Sequence, residues 1–480
     1  MSENALRQLP SVGLLLEHPE VAALAQGGAR TWVTRLVQRV VEAERARLRA
    51  ADAANVTDAA DAGREDLTRR AVASVLLEHE RVLRPSMRRV INATGILVHT
   101  NLGRSLHPER AIAWAAEAAR HNLDLETDLD ANRRGHRGRG VETKLSLLTG
   151  AADALVVNNN AAALWLAIRA CAGANRVVLS RGEIVAIGGS FRLDEILRET
   201  GCELAEVGTT NRTRPQDYRE ALRPGAVVLK VHRSNFVQQG FVEEVPLRDL
   251  ADLCRGEGHV LVYDAGSGQL ADVAGAGLAG HRTLEQDLAD GPDLVTCSGD
   301  KLLGGVQAGL VLGRADLVGR LRDHPLRRAL RVDKTTLAAL DGTLTLYLEG
   351  AHLRSVPTLA FLTRTESELE RMAGDLLARL DGGAPAGWRA EVVAGLAQVG
   401  GGCSADAALP TRLVQWRAPR EEIESCHRRL RTGDPAVLAR IGQEGLAVDL
   451  RALSDDDLPL VAAAVRAAWE HLSGNRREAT

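Results

Sequence analysis

A series of short apolar segments in the middle of the chain, several of them continuously apolar, limits the folds open to it. Segments with helical character, such as NAAALWLAIRACAGA and PLRDLADLCRGEG, separate these apolar runs. The runs are ALVV, RVVL, CELAEV, AVVLKV, HVLVY, DLVTC and AGLVLG. Strands that are apolar throughout, rather than alternating, are typical of a parallel sheet covered on both faces. The pattern therefore predicts an α/β domain whose ligands bind at the carboxyl ends of the strands.

The sequence changes character on both sides of this domain. The first 80 residues are predicted to be helical, with apolar side chains at helical spacing: Val33, Leu36, Val37, Val40, Val41 and Leu48. Residues 30–49 contain six arginines and two glutamates, a local charge of +4. This cluster is either a solvated helix face or a surface for nucleic-acid phosphates. The Ala/Asp-rich stretch ADAANVTDAADAG, residues 51–63, is predicted to be a loose segment near the boundary.

After residue 340, the long helix of TTLAALDGTLTLYLEG is followed by three predicted strands and a closing helix. The strands are GWRAEVVAGLAQVGGGCS, TRLVQWRA and GLAVDLRALS. We therefore predict a helical domain and linker over 1–80, a core domain over 81–340 and a smaller α+β domain over 341–480.

Composition excludes several classes of protein. The net charge of −3 gives no general affinity for nucleic acid, so any polyanion site must be local. The six cysteines are scattered without a CxxC pair, which argues against a disulfide framework and a zinc site. No apolar run reaches membrane-spanning length, and the first residues lack a secretory pattern. We expect a cytoplasmic protein with no metal centre, no membrane contact and no DNA partner.

Lysine is rare in this chain, which makes each lysine informative. Of the 60 basic residues only four are lysine: Lys144, Lys230, Lys301 and Lys334. Arginine cannot deprotonate or form a Schiff base in a protein, whereas lysine can do both. Lys301 lies among small residues in SGDKLLGG, where a planar ring could approach it closely. A lysine in a loop can also be purely structural.

Two upstream segments complete a pattern with Lys301. Asp264 ends the apolar run HVLVYD, where its carboxylate could pair with a protonated pyridine nitrogen of pyridoxal phosphate (PLP). Asn158, Asn159 and Asn160 follow a strand and open a helix, where backbone N–H groups and amides could hold a phosphate. Each feature alone could be a simple turn or helix cap. Their order along the chain predicts a PLP site, and we expect Ser298 of the SGDK segment to contact the cofactor as well.

Several longer motifs resemble a known family. They are INATGILVHTNLGRS, VVNNNAAA, SRGEIVAIGGSFRL, EVGTTNRT, LKVHRSNF, DAGSG, SGDKLLGG and HPLRRALRVDK. Together they resemble the bacterial L-seryl-tRNA(Sec) selenium transferase (selenocysteine synthase) family over nearly the whole chain. The opening LPSVGLLLE resembles that family's tRNA-binding domain. The resemblance implies a PLP-dependent, aspartate-aminotransferase-like (fold type I) core with a mostly parallel sheet.

The resemblance also implies a reaction. Serine carried by seryl-tRNA(Sec) loses its hydroxyl to give an aminoacrylyl intermediate, and selenophosphate then supplies selenium to make selenocysteinyl-tRNA(Sec). Lys301 would hold PLP and remove the Cα proton, and Asp264 would keep the ring nitrogen protonated. Phosphate-binding arginines match at three positions: Arg104, Arg328 and Arg331. If their segment is helical, Arg328 and Arg331 share a face. The family further implies a homo-oligomer, a ring of dimers.

Other matching positions have less definite roles. Thr209, Thr210 and Asn211 are expected to line the pocket, and His232 and Ser234 are similarly placed without an assigned step. The Gly/Arg run at 132–140 could contact PLP or tRNA phosphates, or be a mobile basic loop.

Two alternative functions remain open at the level of sequence. One is a PLP-dependent lyase or aldolase acting on a small amino or sugar acid, which would have no use for a basic helical appendage. The other is a tRNA-binding scaffold without activity, which the presence of Lys301 and Asp264 disfavours.

Overall fold

A computed structural model describes residues 6–53, 63–172, 175–187, 191–273, 275, 278, 281–380 and 383–478. The chain forms two compact units, Met1–Arg89 and Val90–Thr480. Most of the segment predicted to be loose, 51–63, lies outside the described residues. Within the described residues, no helix combines the length and apolar character needed to cross a membrane.

The N-terminal unit is helical, as predicted. Its helices are α1 (Val12–Glu17), α2 (Pro19–Leu24), α3 (Arg30–Ala53) and α4 (Arg64–Leu83). The six apolar residues predicted to form one face of α3 are all buried. Trp32 stacks on His79 of α4 with ring centroids 5.0 Å apart. Arg35 and Arg39 of the basic cluster are exposed, whereas Arg45 pairs with Glu42 on its own helix.

The larger unit begins with β1 and alternates strands and helices through residue 323. The strands are β1 (Val90–Ala93), β2 (Thr127–Asp128), β3 (Arg133–Arg134), β4 (Asp153–Val157), β5 (Arg176–Ser180), β6 (Ala186–Ile187), β7 (Phe191–Arg192), β8 (Glu203–Val207), β9 (Val227–Val231), β10 (Val260–Gly266), β11 (Leu294–Ser298) and β12 (Gly309–Gly313). The helices are α5 (Glu109–Arg120), α6 (Arg139–Thr149), α7 (Asn160–Cys171), α8 (Leu193–Glu199), α9 (Pro215–Ala221), α10 (Leu247–Glu257), α11 (Leu284–Ala289) and α12 (Ala315–Asp323).

The remaining elements are helical up to residue 380 and then mixed. The helices are α13 (Lys334–Leu348), α14 (His352–Ser355), α15 (Pro357–Thr363), α16 (Glu366–Leu380), α17 (Arg420–Thr432) and α18 (Asp457–Glu478). The strands are β13 (Arg389–Gly400), β14 (Ser404–Arg417), β15 (Ala436–Gly442) and β16 (Gly445–Asp449).

The seven apolar runs form one seven-stranded sheet in the order β4-β12-β11-β10-β9-β5-β8. Every residue of β9, β11 and β12 is buried, as expected for strands covered on both faces. Neighbouring strands run parallel except around β12, which is antiparallel to both β11 and β4. The ten residues between β11 and β12 are too few for a crossover helix, so the chain turns straight back. That turn carries Lys301.

A five-stranded sheet, in the order β1-β15-β16-β14-β13, forms a second layer of the same unit. The three strands predicted after residue 380 are β13, β14 and β16. Strand β15 was not predicted, and neither was the parallel pairing of β1 with it, Val90 opposite Ala436. Residues 96–98 extend this sheet, because the Leu97 and Val98 N–H groups donate to carbonyls of β13. The segment that follows them leads to Arg104.

Candidate active site

A cavity of about 510 Å³ lies at the carboxyl ends of β4, β10 and β11. Six of the residues predicted to form the site line it together: Arg104, Asn159, Asn160, Asp264, Ser298 and Lys301. His232 and Ser234, to which no step was assigned, line it as well. The cavity is therefore where the sheet topology predicts ligands to bind.

Asp264 is a buried carboxylate held by two side-chain donors. The Asn160 amide Nδ2 donates to Asp264 Oδ1 at 2.8 Å, and the Thr296 hydroxyl donates to the same oxygen at 3.1 Å. Burial raises the pKa of Asp264, while the Asn160 hydrogen bond and the Lys301 charge act in the opposite direction. A buried carboxylate gains most from a cationic partner, and the protonated ring nitrogen of PLP would be one.

Lys301 lies in the turn between β11 and β12 and is only 6% exposed. The Ser105 hydroxyl donates to the carbonyls of Asp300 and Lys301, at 2.8 and 2.7 Å, which ties the turn to the 96–105 segment. A Cβ atom on Gly266, at the end of β10, would lie 4.0 Å from Lys301 Nζ. A small residue therefore lies beside the amine on this side.

Arg104 is aimed into the cavity by its backbone and by Asp300. Its φ of 65° is in the left-handed region, which a non-glycine residue adopts at a cost of about 1–3 kcal/mol. Arg104 Nη1 donates to Asp300 Oδ2 at 2.8 Å. Asp300 is buried, and its Oδ1 has no hydrogen-bond partner in the described structure. The strained backbone and the ion pair together hold a guanidinium at the mouth of the lysine pocket.

The three asparagines have three different environments. The Asn159 Oδ1 caps α7 by accepting from Ala162 N at 2.9 Å. Asn160 is turned toward Asp264, and its own Oδ1 is buried without a partner. Asn158 is exposed, does not line the cavity, and donates its backbone N–H to the Leu330 carbonyl. A phosphate at this edge would therefore meet the first turn of α7 rather than a row of three amides.

Arg328 and Arg331 do not line the lysine cavity. Arg328 is exposed in a short 3₁₀ helix, Pro325–Arg328, and Arg331 lies beyond its end, so the pair does not share a helical face. Arg331 Nη1 lies 3.6 Å from Glu126 Oε1. Glu126 also accepts hydrogen bonds from Arg134 and Arg137 of the 132–140 run, and these, led by Arg134, lower its pKa.

Residues 209–211 also lie outside the lysine cavity. They form an exposed loop after β8, where the Asn211 amide donates to the Phe241 carbonyl and Gln238 donates to the Thr210 carbonyl. Four polar residues that line the cavity were missed by the sequence prediction: Thr100, Asn101, Asp300 and Gln307. Of these, Asp300 carried a signal, since it directly precedes the lysine.

The cavity has the groups that PLP requires: an amine for its aldehyde carbon, a buried carboxylate for its ring nitrogen and a helix start for its phosphate. The unpartnered Oδ1 of Asn160 marks a polar position left for a ligand. The fold and this site define a PLP-dependent enzyme of fold type I.

Comparison with known proteins identifies the family within that class. Residues 90–454 match the family described as L-seryl-tRNA selenium transferase, and residues 6–45 match the family described as selenocysteine synthase N terminal. The chain is 42% identical to the L-seryl-tRNA(Sec) selenium transferase of Geobacter sulfurreducens, over 96% of this chain and 98% of that protein. It is 45% identical to the enzyme of the same name from Solidesulfovibrio magneticus, over 81% and 83% of the two chains.

A solved structure of D-glucosaminate-6-phosphate ammonia-lyase is similar in fold, with a TM-score of 0.58 and 21% identity. It covers 82% of this chain and 98% of its own. The chain belongs to the L-seryl-tRNA selenium transferase family, which confirms the resemblance seen in the motifs.

Proposed function

We propose that this chain converts L-seryl-tRNA(Sec) to L-selenocysteinyl-tRNA(Sec), with selenophosphate as the selenium donor and PLP as the cofactor. One observation carries the proposal: the Lys301 amine, the Asp264 carboxylate and the Arg104–Asp300 pair meet in one cavity of a chain that matches the family over both units. The reaction needs a base, a carboxylate that keeps the cofactor's ring nitrogen protonated, and a guanidinium that binds an anion. Lys301, Asp264 and Arg104 supply them in that order.

Lys301 and Asp264 supply the proton chemistry. When bound, PLP withdraws electrons from the seryl Cα, so that the hydroxyl can leave and selenium can add at the β-carbon. Lys301 Nζ would hold the cofactor, and the same nitrogen would be the nearby base for the seryl Cα proton. Asp264, fixed by Asn160 and Thr296, keeps a proton on the cofactor's ring nitrogen.

Arg104 is the first candidate to bind selenophosphate. A guanidinium presents a planar fork of N–H donors that fits a tetrahedral oxyanion. Asp300 takes one Nη1 hydrogen bond and so fixes the direction in which the remaining donors point. Arg104 is 34% exposed on its side chain, so it remains accessible to an entering anion.

Arg328 and Arg331 are assigned to the same anion from a segment beside the cavity. The Leu330 carbonyl accepts from Asn158 N at 3.1 Å, which brings this segment against the start of α7 at the cavity wall. Arg331 shares Glu126 with Arg137, so the 132–140 run and Arg331 form one basic surface beside the cavity. We propose that this surface receives selenophosphate or the tRNA's terminal phosphates.

Residues 1–80, which comprise the N-terminal helical domain and linker, are assigned to tRNA binding. The exposed Arg35 and Arg39 lie on α3, within the +4 cluster. Phosphate contacts dominate such affinity, and A-form RNA is recognised largely by shape. We assign 81–340 to cofactor binding and 341–480 to the smaller domain. We also propose a cytoplasmic homo-oligomer, a ring of dimers, which sedimentation analysis of the purified protein would test.

The decisive experiment is reconstitution with purified components. Wild-type protein, PLP, seryl-tRNA(Sec) and selenophosphate should yield selenocysteinyl-tRNA(Sec), detected by mass spectrometry of the released amino acid. Lys301→Ala should yield none. A wild-type protein that binds PLP but leaves seryl-tRNA(Sec) unchanged would refute the proposal, and turnover of free amino or sugar acids instead would revive the lyase alternative.

A further inference from the structure

A glycine in the turn between β13 and β14 lies so close to the Lys301 amine that an added Cβ would collide with it. Strands β13 and β14 are joined by a tight turn that includes Gly400, Gly401 and Gly402. A Cβ atom on Gly402 would lie 2.7 Å from Lys301 Nζ and 3.1 Å from its Cε. Real Cβ atoms essentially never come within 3.0 Å of another atom. The position is therefore closed to every residue but glycine as long as the lysine stays where it is.

The backbone of Gly402 is fixed from the other side by Asn235. The Gly402 N–H donates to Asn235 Oδ1, from the segment that follows β9. Gly402 also has a φ of +79°, which glycine adopts without cost. The residue therefore lies between a hydrogen-bond acceptor, Asn235, and the Lys301 amine.

The neighbouring residues hold the turn in the same place. A Cβ on Gly400 would lie 2.4 Å from the Val98 carbonyl, so the turn is in close contact with the segment that leads to Arg104. Cys403 is completely buried, and burial raises the pKa of its thiol to about 11, so it packs as a neutral group. On the far side, Ser404 Oγ lies 3.0 Å from His281 Nε2.

We infer that Gly402 and Asn235 are positioning residues for Lys301: the Gly402 backbone, fixed by Asn235, limits where the lysine nitrogen can lie. The inference rests on the role of Lys301 in the proposed function. A lysine that must first hold the cofactor and then act as a base has to return to one place after release. A rigid wall at Nζ narrows the volume it can occupy, and the entropy saved favours the reactive geometry.

The test adds one methyl group at Gly402. In Gly402→Ala the new methyl group would lie 2.7 Å from Nζ, whereas ordinary contact begins at 3.4 Å. The amine must therefore move away by about 0.7 Å. A misplacement of about 1 Å lowers a rate by up to about a hundredfold. We expect exchange of the seryl Cα proton with solvent deuterium to slow by about ten- to a hundredfold, with little change in KM for seryl-tRNA. Borohydride trapping of PLP on Lys301, located by peptide mass spectrometry, should slow as well.

Two matched alanine variants separate contact with the lysine from other effects. Gly387→Ala carries the same left-handed strain, at a φ of +88°, with nothing within 4 Å of the new methyl. Gly401→Ala adds the methyl one residue earlier, where the nearest atom is 3.8 Å away. Both should keep wild-type trapping and exchange rates. If trapping and exchange slow equally in all three variants, the effect of Gly402 is structural and the inference is wrong.

Asn235→Ala provides a second route if Gly402→Ala fails to fold. It removes the acceptor of the Gly402 N–H without adding any atom near the lysine. We expect borohydride trapping and Cα exchange to slow with a normal circular dichroism spectrum, and wild-type rates would contradict the inference. Trapping does not need tRNA or selenium, so its result is independent of whether selenocysteinyl-tRNA is the product.

Discussion

The replacement Asp264→Asn tests the proposed ring-nitrogen partner with almost no change of shape. Asn160 and Thr296 both donate to Oδ1, so they fix the orientation of the new side chain. Its amide oxygen must take the Oδ1 position, which places the NH₂ group where the other carboxylate oxygen was. That NH₂ can only donate, and a ring nitrogen that accepts from it must be unprotonated.

The expected size of the effect follows from the lost charge. A neighbouring opposite charge shifts a pKa by about 1–3 units, and each unit is about 1.4 kcal/mol. If that stabilisation is made in the transition state, the rate falls by about ten- to a thousandfold. We expect the upper end of this range, because Asp264 is buried and screening by water is therefore weak.

The assay separates cofactor binding from chemistry. Spectroscopic titration with PLP should show that Asp264→Asn still binds the cofactor through Lys301, and ¹⁵N NMR of labelled PLP should show an unprotonated ring nitrogen. The rate of solvent-deuterium exchange at the seryl Cα should fall by about ten- to a thousandfold. A variant that exchanges at more than about half the wild-type rate would refute the charge argument, because the hydrogen bonds to Asn160 and Thr296 are retained.

Four further predictions follow from the same structure. Lys301→Ala should give no borohydride-reducible adduct, and an adduct on another lysine would disprove the assignment. Replacing Arg104, Arg328 or Arg331 by alanine should slow the addition of selenium more than it slows the elimination of the seryl hydroxyl. If both steps slow equally, the arginines bind seryl-tRNA rather than selenophosphate. Deleting residues 1–80 should leave PLP binding intact but weaken tRNA(Sec) binding by gel shift, and unchanged affinity would remove tRNA binding from this unit. Burial raises the pKa of Glu142 from 4.5 to about 7 in the folded protein. Between these pH values the unfolded chain has lost this proton while the folded protein keeps it. The free energy of unfolding should therefore fall by up to about 3 kcal/mol from pH 4.5 to 7. Glu142→Gln should therefore be more stable than wild type at pH 8 but not at pH 4.5 in urea titrations, and parallel losses in both proteins would contradict the shift.

The fold could be predicted where its cause is local. Several strands of the large sheet, such as β12, are continuous apolar runs, because burial on both faces leaves few polar positions. The direction of β12 could not be predicted from its own residues, since GLVLG would look the same in either direction. Its direction comes from the short turn before it. The pairing of β1 with β15 depends on residues some 346 positions apart, for which a four-residue strand carries no local signal.

The site could be predicted where side chains carry the chemistry. Lys301 and Asn160 follow strand ends and Asp264 lies near the carboxyl end of β10, and a parallel sheet brings such ends to one edge. Asp300 was missed because an aspartate in a turn usually caps it. Gly402 has no side chain to suggest a role, and its contact with the lysine comes from the packing of a different sheet. Arg328 and Arg331 match the family by sequence, but a 3₁₀ turn replaces the helix that would have aligned them.

The pairing of β1 with β15 has a consequence for how the protein is made. A ribosome adding about 5–20 residues per second needs about 17–70 s to travel from Val90 to Ala436. During that interval the helices of the N-terminal unit have all been synthesised, while β1 has no partner strand and its buried residues, Ile91 and Ala93, remain uncovered. The nascent chain therefore carries an unpaired strand until translation is nearly complete, a stage at which unpaired strands favour aggregation. Expression at low temperature or with chaperones should raise the yield of folded protein through this interval.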